Sequence, residues 1–168
     1  MVKKALTYDD VFLKCASLCA KSEHSAVELI GKMCRWGVSR DMAALVVERL
    51  KGEGYVDERR FAHAFVYDKF NLSGWGRTKI RYYLRMNGIC DEFADEALAE
   101  IDDDDYKKTL ARLIAAKSKL LPDGDPYKKK VSLCRYAVSR GFEAAFVTRM
   151  VNGLINNGDD VDVPDDMS

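Results

Sequence analysis

The chain is poor in everything that interrupts a helix. Its 168 residues hold three prolines, and the first of them is Pro122. An interior proline costs a helix about 3 kcal/mol, so 121 proline-free residues leave room for long uninterrupted helices. Charge of one sign is also lacking: 27 basic side chains face 27 acidic ones. No run of about 18 apolar residues is present, which excludes a spanning helix. Residues 1–10 lack an apolar stretch of the secretory kind, and the expected compartment is the cytoplasm.

Chemistry-bearing residues are scarce as well. The five cysteines (15, 19, 34, 90 and 134) form no Cys-x-x-Cys pair. Their odd number argues against a disulfide framework, and they are read as reduced thiols that serve as buried small apolar residues. Only two histidines occur, His24 and His63, so no metal site is expected. Glycine-rich phosphate loops, dinucleotide fingerprints and nucleophile elbows are missing. The four acids Asp102–Asp105 point around a helix rather than at one ion. No catalytic residue, cofactor or small-molecule substrate is expected from this inventory.

What the sequence does have is a threefold pattern. Gly37, Gly88 and Gly141 stand 51 and 53 residues apart. One position after each come Val38, Ile89 and Phe142. Five after come Met42, Phe93 and Phe146, and nine after come Val46, Ala97 and Met150. Eight before stand Leu29, Ile80 and Leu133, and four before stand Met33, Leu84 and Ala137. All fifteen positions are apolar at helical spacing. Each copy therefore reads as helix, glycine stop, helix, with the glycine at the C′ position. A third helix precedes each pair, starting from an acidic cluster and an aromatic: Asp9-Asp10 with Phe12, Asp57-Glu58 with Phe61, and Asp102–Asp105 with Tyr106. Carboxylates in a first turn oppose the helix dipole. Ser25-x-x-Glu28 forms a capping box, and Asp125-Pro126 places a cap before an N1 proline.

The expected fold is all-α: nine helices in three tandem three-helix repeats, an elongated, curved array. The repeats are expected at 1–54, 55–101 and 102–155, followed by an acidic tail at 156–168 that is read as disordered. A unit of about 50 residues buries little by itself, so neighbouring units must supply core to one another.

Net neutrality hides segregation. Residues 91–105 carry nine acids and no base, whereas residues 106–149 carry eleven bases against three acids. On the helix expected over Trp75–Asn87, Arg77, Arg81 and Arg85 form one stripe about 12 Å long. Like charges four apart disfavour a helix by about 0.2–0.5 kcal/mol per pair, so something must offset them. One answer is an anionic partner such as nucleic-acid phosphate or an acidic protein surface. The other is internal, because Glu92, Glu96 and Glu100 make an acidic stripe on the next helix. Trp75, Tyr82 and Tyr83 are candidates to stack on bases, with two rival expectations: helical spacing favours the core for Tyr83, and Trp75, between Gly74 and Gly76 at a helix start, is also placed to seal a turn. Lys69, Lys79 and the run Lys128, Lys129 and Lys130 complete the candidate binding set.

The stretch Tyr55-Val56-Asp57-Glu58-Arg59-Arg60-Phe61-Ala62-x-x-Phe65-Val66, followed by Lys69, Gly74, Lys79-Ile80-x-x-x-Leu84 and Gly88-Ile89, resembles the signature of the RecX family of bacterial recombinase regulators. The resemblance implies tandem three-helix motifs and a non-enzymatic protein. It also implies binding along the groove of the RecA filament, restraining filament growth, ATP hydrolysis and strand exchange in recombination and DNA repair, in some members with direct DNA contact. Asp57, Arg60, Phe61, Ala62 and Gly88 match as structural residues: a cap, a surface charge, two packing residues and a stop. Lys79 matches as a candidate contact. The rival expectation is a helical module that binds single- or double-stranded DNA through backbone phosphates without RecA. No membrane partner is expected.

Overall fold

A computed structural model describes residues 4–157, and the acidic tail beyond them lies outside the described residues. Nine α-helices form among the described residues, with no strand: α1 (Tyr8–Lys21), α2 (Ala26–Arg35), α3 (Arg40–Gly52), α4 (Glu58–Tyr67), α5 (Arg77–Met86), α6 (Asp91–Leu98), α7 (Asp103–Leu120), α8 (Pro126–Ser139) and α9 (Ala144–Asn156). One π-helical turn, Asp68–Leu72, continues α4. None of the described helices is long and apolar enough to cross a membrane.

The helix starts follow from side-chain caps. Thr7 and Ser25 each accept from the amide three residues on, and Asp10 and Glu28 reach back to the cap amides, so α1 and α2 begin in complete capping boxes. Asp57 accepts from the Arg60 amide at 2.8 Å, and Asp125 accepts from the Tyr127 amide at 2.9 Å. The stops are the three repeat glycines. Gly37, Gly88 and Gly141 have φ of 83°, 74° and 96°, a region that side-chain-bearing residues avoid.

The chain divides into two compact units. The first joins residues up to Lys69 with Arg81–Glu100, and the second joins Phe70–Ile80 with the chain from Ile101 onward. In the first, α3 packs on α1 and α2, and α4 packs on α6. Val11, Phe12, Cys15, Leu29, Met33, Val46 and Leu50 are the centre of one cluster. Burial pushes the Cys15 thiol up to about 11, so it stays protonated and packs as a small apolar residue. In the second, α7, α8 and α9 pack pairwise around Leu110, Ile114, Leu133, Ala137, Phe142, Val147 and Val151.

Ser25 is the buried polar side chain of the described core. Its hydroxyl accepts from the Glu28 amide at 3.1 Å and donates to Asn87 Oδ1 at 2.7 Å. Asn87 in turn donates from Nδ2 to the Tyr83 carbonyl. Ser25→Ala should therefore cost about 2 kcal/mol, from a lost cap plus a stranded amide. Ser39→Ala removes only an exposed cap, at 3.2 Å from the Met42 amide, and should cost about 1 kcal/mol. Urea titration of both variants measures the difference, and equal losses would mean that the Asn87 bond contributes nothing.

Candidate functional site

The arginine stripe of α5 is formed, and it is neutralised inside the molecule. Arg85 Nε lies 3.0 Å from Asp91, Arg81 2.6 Å from Asp95 and Arg77 2.8 Å from Asp103. These are not the glutamates that share the stripe on α6. Glu96 pairs with Arg59 at 3.1 Å and Glu100 with His63 at 3.0 Å, both on α4. α6 is thus acidic on two sides, and adjacent residues on a helix differ by about 100° in direction, so the 91/95 row meets α5 while the 96/100 row meets α4. These pairings oppose the like-charge repulsion along α5. Arg85 holds the Asp91 carboxyl below the usual carboxylate range.

Arg77 is the most committed of the three. Its Nη2 donates to the Ile101 carbonyl at 3.1 Å, and its guanidinium lies 4.1 Å from the centre of the Tyr106 ring. Tyr106 is 3% exposed and stacks among Phe70, Phe142 and Phe146. Its hydroxyl accepts from the Arg77 amide at 3.0 Å and donates to Glu143 Oε2 at 2.7 Å. The start of α5 is held the same way on either side of Arg77. The Gly76 amide donates to the Arg140 carbonyl at 2.8 Å, and the Thr78 amide donates to the Gly141 carbonyl at 3.0 Å. Partners distant in sequence cap this helix, and it begins at Arg77, two residues beyond the expected Trp75.

The remaining candidates divide. The Lys69 ammonium lies 5.4 Å from the Phe65 ring centre, and the Lys79 ammonium 4.2 Å from the Trp75 ring centre. Arg60 is a clamp rather than a free surface charge: it pairs with Glu23 and donates to the Gly54 carbonyl at 3.0 Å. Phe61 and Ala62 are buried, and Gly88 is the stop before α6. Tyr83 is 40% exposed on the outer side of α5, not in the core, and packs edge-on against Tyr82.

Lys128, Lys129 and Lys130 differ from all of these. They open α8, whose fourteen residues contain no acid, and none of them, nor Arg135 on the same helix, has an ion-pair partner among the described residues. Asp125, the nearest acid before them, spends its carboxylate on capping. Among the described residues no group of three or more histidine, cysteine or acidic side chains is gathered as metal ligands would be.

The fold and this surface define an all-α helical-repeat protein carrying one strongly basic helix to which no acid among the described residues is ion-paired. Residues 57–98 match the family model described as RecX, second three-helix domain. Over 137 residues the chain is 32% identical to the regulatory protein RecX of Prosthecochloris aestuarii, covering 80% of this chain and 87% of that one. It is likewise 32% identical to the regulatory protein RecX of Chlorobium phaeobacteroides, over 83% of this chain and 90% of the other. The crystal structure of RecX from Lactobacillus salivarius has the same fold, with a TM-score of 0.71 at 15% identity, covering 89% of this chain and 97% of that one. The chain belongs to the RecX family.

Proposed function

We propose that this protein is a non-enzymatic regulator of the RecA recombinase that binds the RecA–single-stranded DNA filament and restrains its extension, ATP hydrolysis and strand exchange. Family membership supplies the class of target. The observation that carries the contact is the basic surface of α8, which has no ion-pair partner among the described residues. An anionic partner gains most where no internal acid must first be displaced, and Lys128, Lys129 and Lys130 meet that condition while Arg77, Arg81 and Arg85 do not. In this reading Arg81 and Arg85 act as an internal brace that keeps α6 in place.

The test records ATP turnover by RecA on single-stranded DNA alongside the mobility of bare DNA. The wild type is expected to suppress turnover at concentrations that leave bare DNA unshifted. Changing Lys128, Lys129 and Lys130 together to Ala should raise the concentration for half-inhibition about tenfold, whereas Arg81→Ala with Arg85→Ala should change it less than threefold. Inhibition should weaken between about 50 and 200 mM salt, as charge-steered association does. Full inhibition by the triple lysine variant would remove α8 from the mechanism. The same unpaired lysines also suit a DNA module that works without RecA, and a bare-DNA shift with unchanged turnover would establish that reading instead.

A further inference from the structure

The outward side of α8 is not only basic. Val131 and Val138 lie seven residues apart, about 10 Å along the axis, and are 37% and 45% exposed. Lys128 and Arg135 repeat the same seven-residue spacing on the neighbouring row and are exposed. Tyr127, 72% exposed, closes the N-terminal end. The face therefore presents an apolar row beside a cationic row, with no acid on the helix and no ion pair to either cation among the described residues.

We propose that this face is a docking surface for an acidic, amphipathic protein segment, whose carboxylates meet Lys128 and Arg135 while its apolar side chains cover Val131 and Val138. This rests on the reading of α8 as the binding surface and names the chemistry of its partner. Charge complementarity selects an acidic occupant. The valines select protein over nucleic acid: a phosphate backbone engages the cations and gains nothing from two exposed isopropyl groups. A base-stacking surface needs successive aromatic faces, and this one offers Tyr127 alone, since Tyr136 lies elsewhere on the helix beneath the Lys117 ammonium at 5.2 Å. Apolar anchors at heptad spacing flanked by complementary charge are the usual means of seating an amphipathic helix.

The probe is a fluorescein-labelled helix-forming peptide of Ala, Leu and Glu, with leucine and glutamate rows at seven-residue spacing, titrated with the full chain at low salt. Saturable binding is expected from its fluorescence anisotropy. Val131→Ser with Val138→Ser should weaken it at least fivefold, and Lys128→Ala with Arg135→Ala at least tenfold. All four positions are on the surface, and unchanged helical circular dichroism verifies each variant. A thirty-six-residue oligo-dT serves as the competing class, and its affinity should be insensitive to the valine changes. The proposal is overturned if the peptide fails to bind, if the valine pair leaves its affinity unchanged, or if oligo-dT binding depends on the same valines. The RecA turnover assay is scored separately: peptide docking with unaffected RecA turnover removes the RecA target and keeps the docking surface, and the reverse removes the docking surface alone.

Discussion

Gly76→Ala is expected to lower the stability of this protein by about 3 kcal/mol or more, the upper part of the range for overpacking a close contact. A methyl group at position 76 would sit 2.3 Å from the backbone carbon and oxygen of Gly141 and 2.4 Å from the Phe142 amide. Those are main-chain atoms, held in place by the same bonds that fix the start of α5, so no side chain can rotate away to make room. The backbones must separate, and separation breaks the Gly76 bond to the Arg140 carbonyl and the Thr78 bond to the Gly141 carbonyl. Gly141→Ala meets the reciprocal obstacle, a Cβ 2.2 Å from that of Lys79, with the added strain of φ at 96°. Gly153 is the control, since nothing lies within 4 Å of a Cβ built there. On a chain of this size the first two variants should melt about 10 °C lower, and Gly153→Ala should melt at or slightly above the wild-type temperature. Thermal unfolding followed by circular dichroism measures all three, and a Gly76→Ala protein that melts with the wild type would refute the close approach.

Tyr106→Ala is the second large effect, at about 4 kcal/mol, because it empties a site ringed by Phe70, Phe142 and Phe146 and leaves the Arg77 guanidinium without the ring it covers. Tyr106→Phe separates the hydroxyl from the ring. It keeps the packing, strands the Arg77 amide and the Glu143 carboxylate, and should cost about 1–2 kcal/mol. The pH dependence adds a signature that packing does not share. Burial raises the Tyr106 hydroxyl above its ordinary value of 10.0, so the folded chain keeps a proton that the unfolded chain releases. Stability should accordingly fall as pH rises past about 10, and this alkaline loss should be smaller in Tyr106→Phe. Denaturant midpoints at pH 8 and pH 10.5 for wild type and Tyr106→Phe test it, and parallel losses would assign the alkaline effect to other groups.

Local chemistry made much of this architecture readable in advance. The apolar register around Gly37, Gly88 and Gly141 identifies stops that need positive φ, and the Ser25 and Asp125 caps lie where their side-chain chemistry requires. The misses are all matters of tertiary structure. The start of α5 cannot be located from its own residues, because its caps are carbonyls at 140 and 141 and a hydroxyl at 106. The partners of Arg81 and Arg85 are Asp95 and Asp91 rather than Glu96 and Glu92, a choice between adjacent rows of one helix that periodicity does not make. Arg60 reads as a surface charge until Glu23, 37 residues away in sequence, is brought to it. Nothing in the chain's order distinguishes Lys128–Lys130 from the α5 arginines as available cations. That distinction appears only when each acid is followed to its partner.

The helix α5 is shared: its first turn packs within the unit that contains α7, α8 and α9, and its later turns within the unit that contains α6. Anyone dissecting this protein into expressible pieces must reckon with that. A fragment cut at residue 102 would carry the Tyr106 ring without Phe70 or Arg77, and would leave the carbonyls of Arg140 and Gly141 without the amides they serve. A fragment beginning at residue 70 keeps those groups but abandons α4, the helix on which α6 packs and whose Arg59 and His63 pair with Glu96 and Glu100. Truncation series that treat the three-helix copies as interchangeable cassettes will therefore report the loss of shared hardware as if it were loss of function.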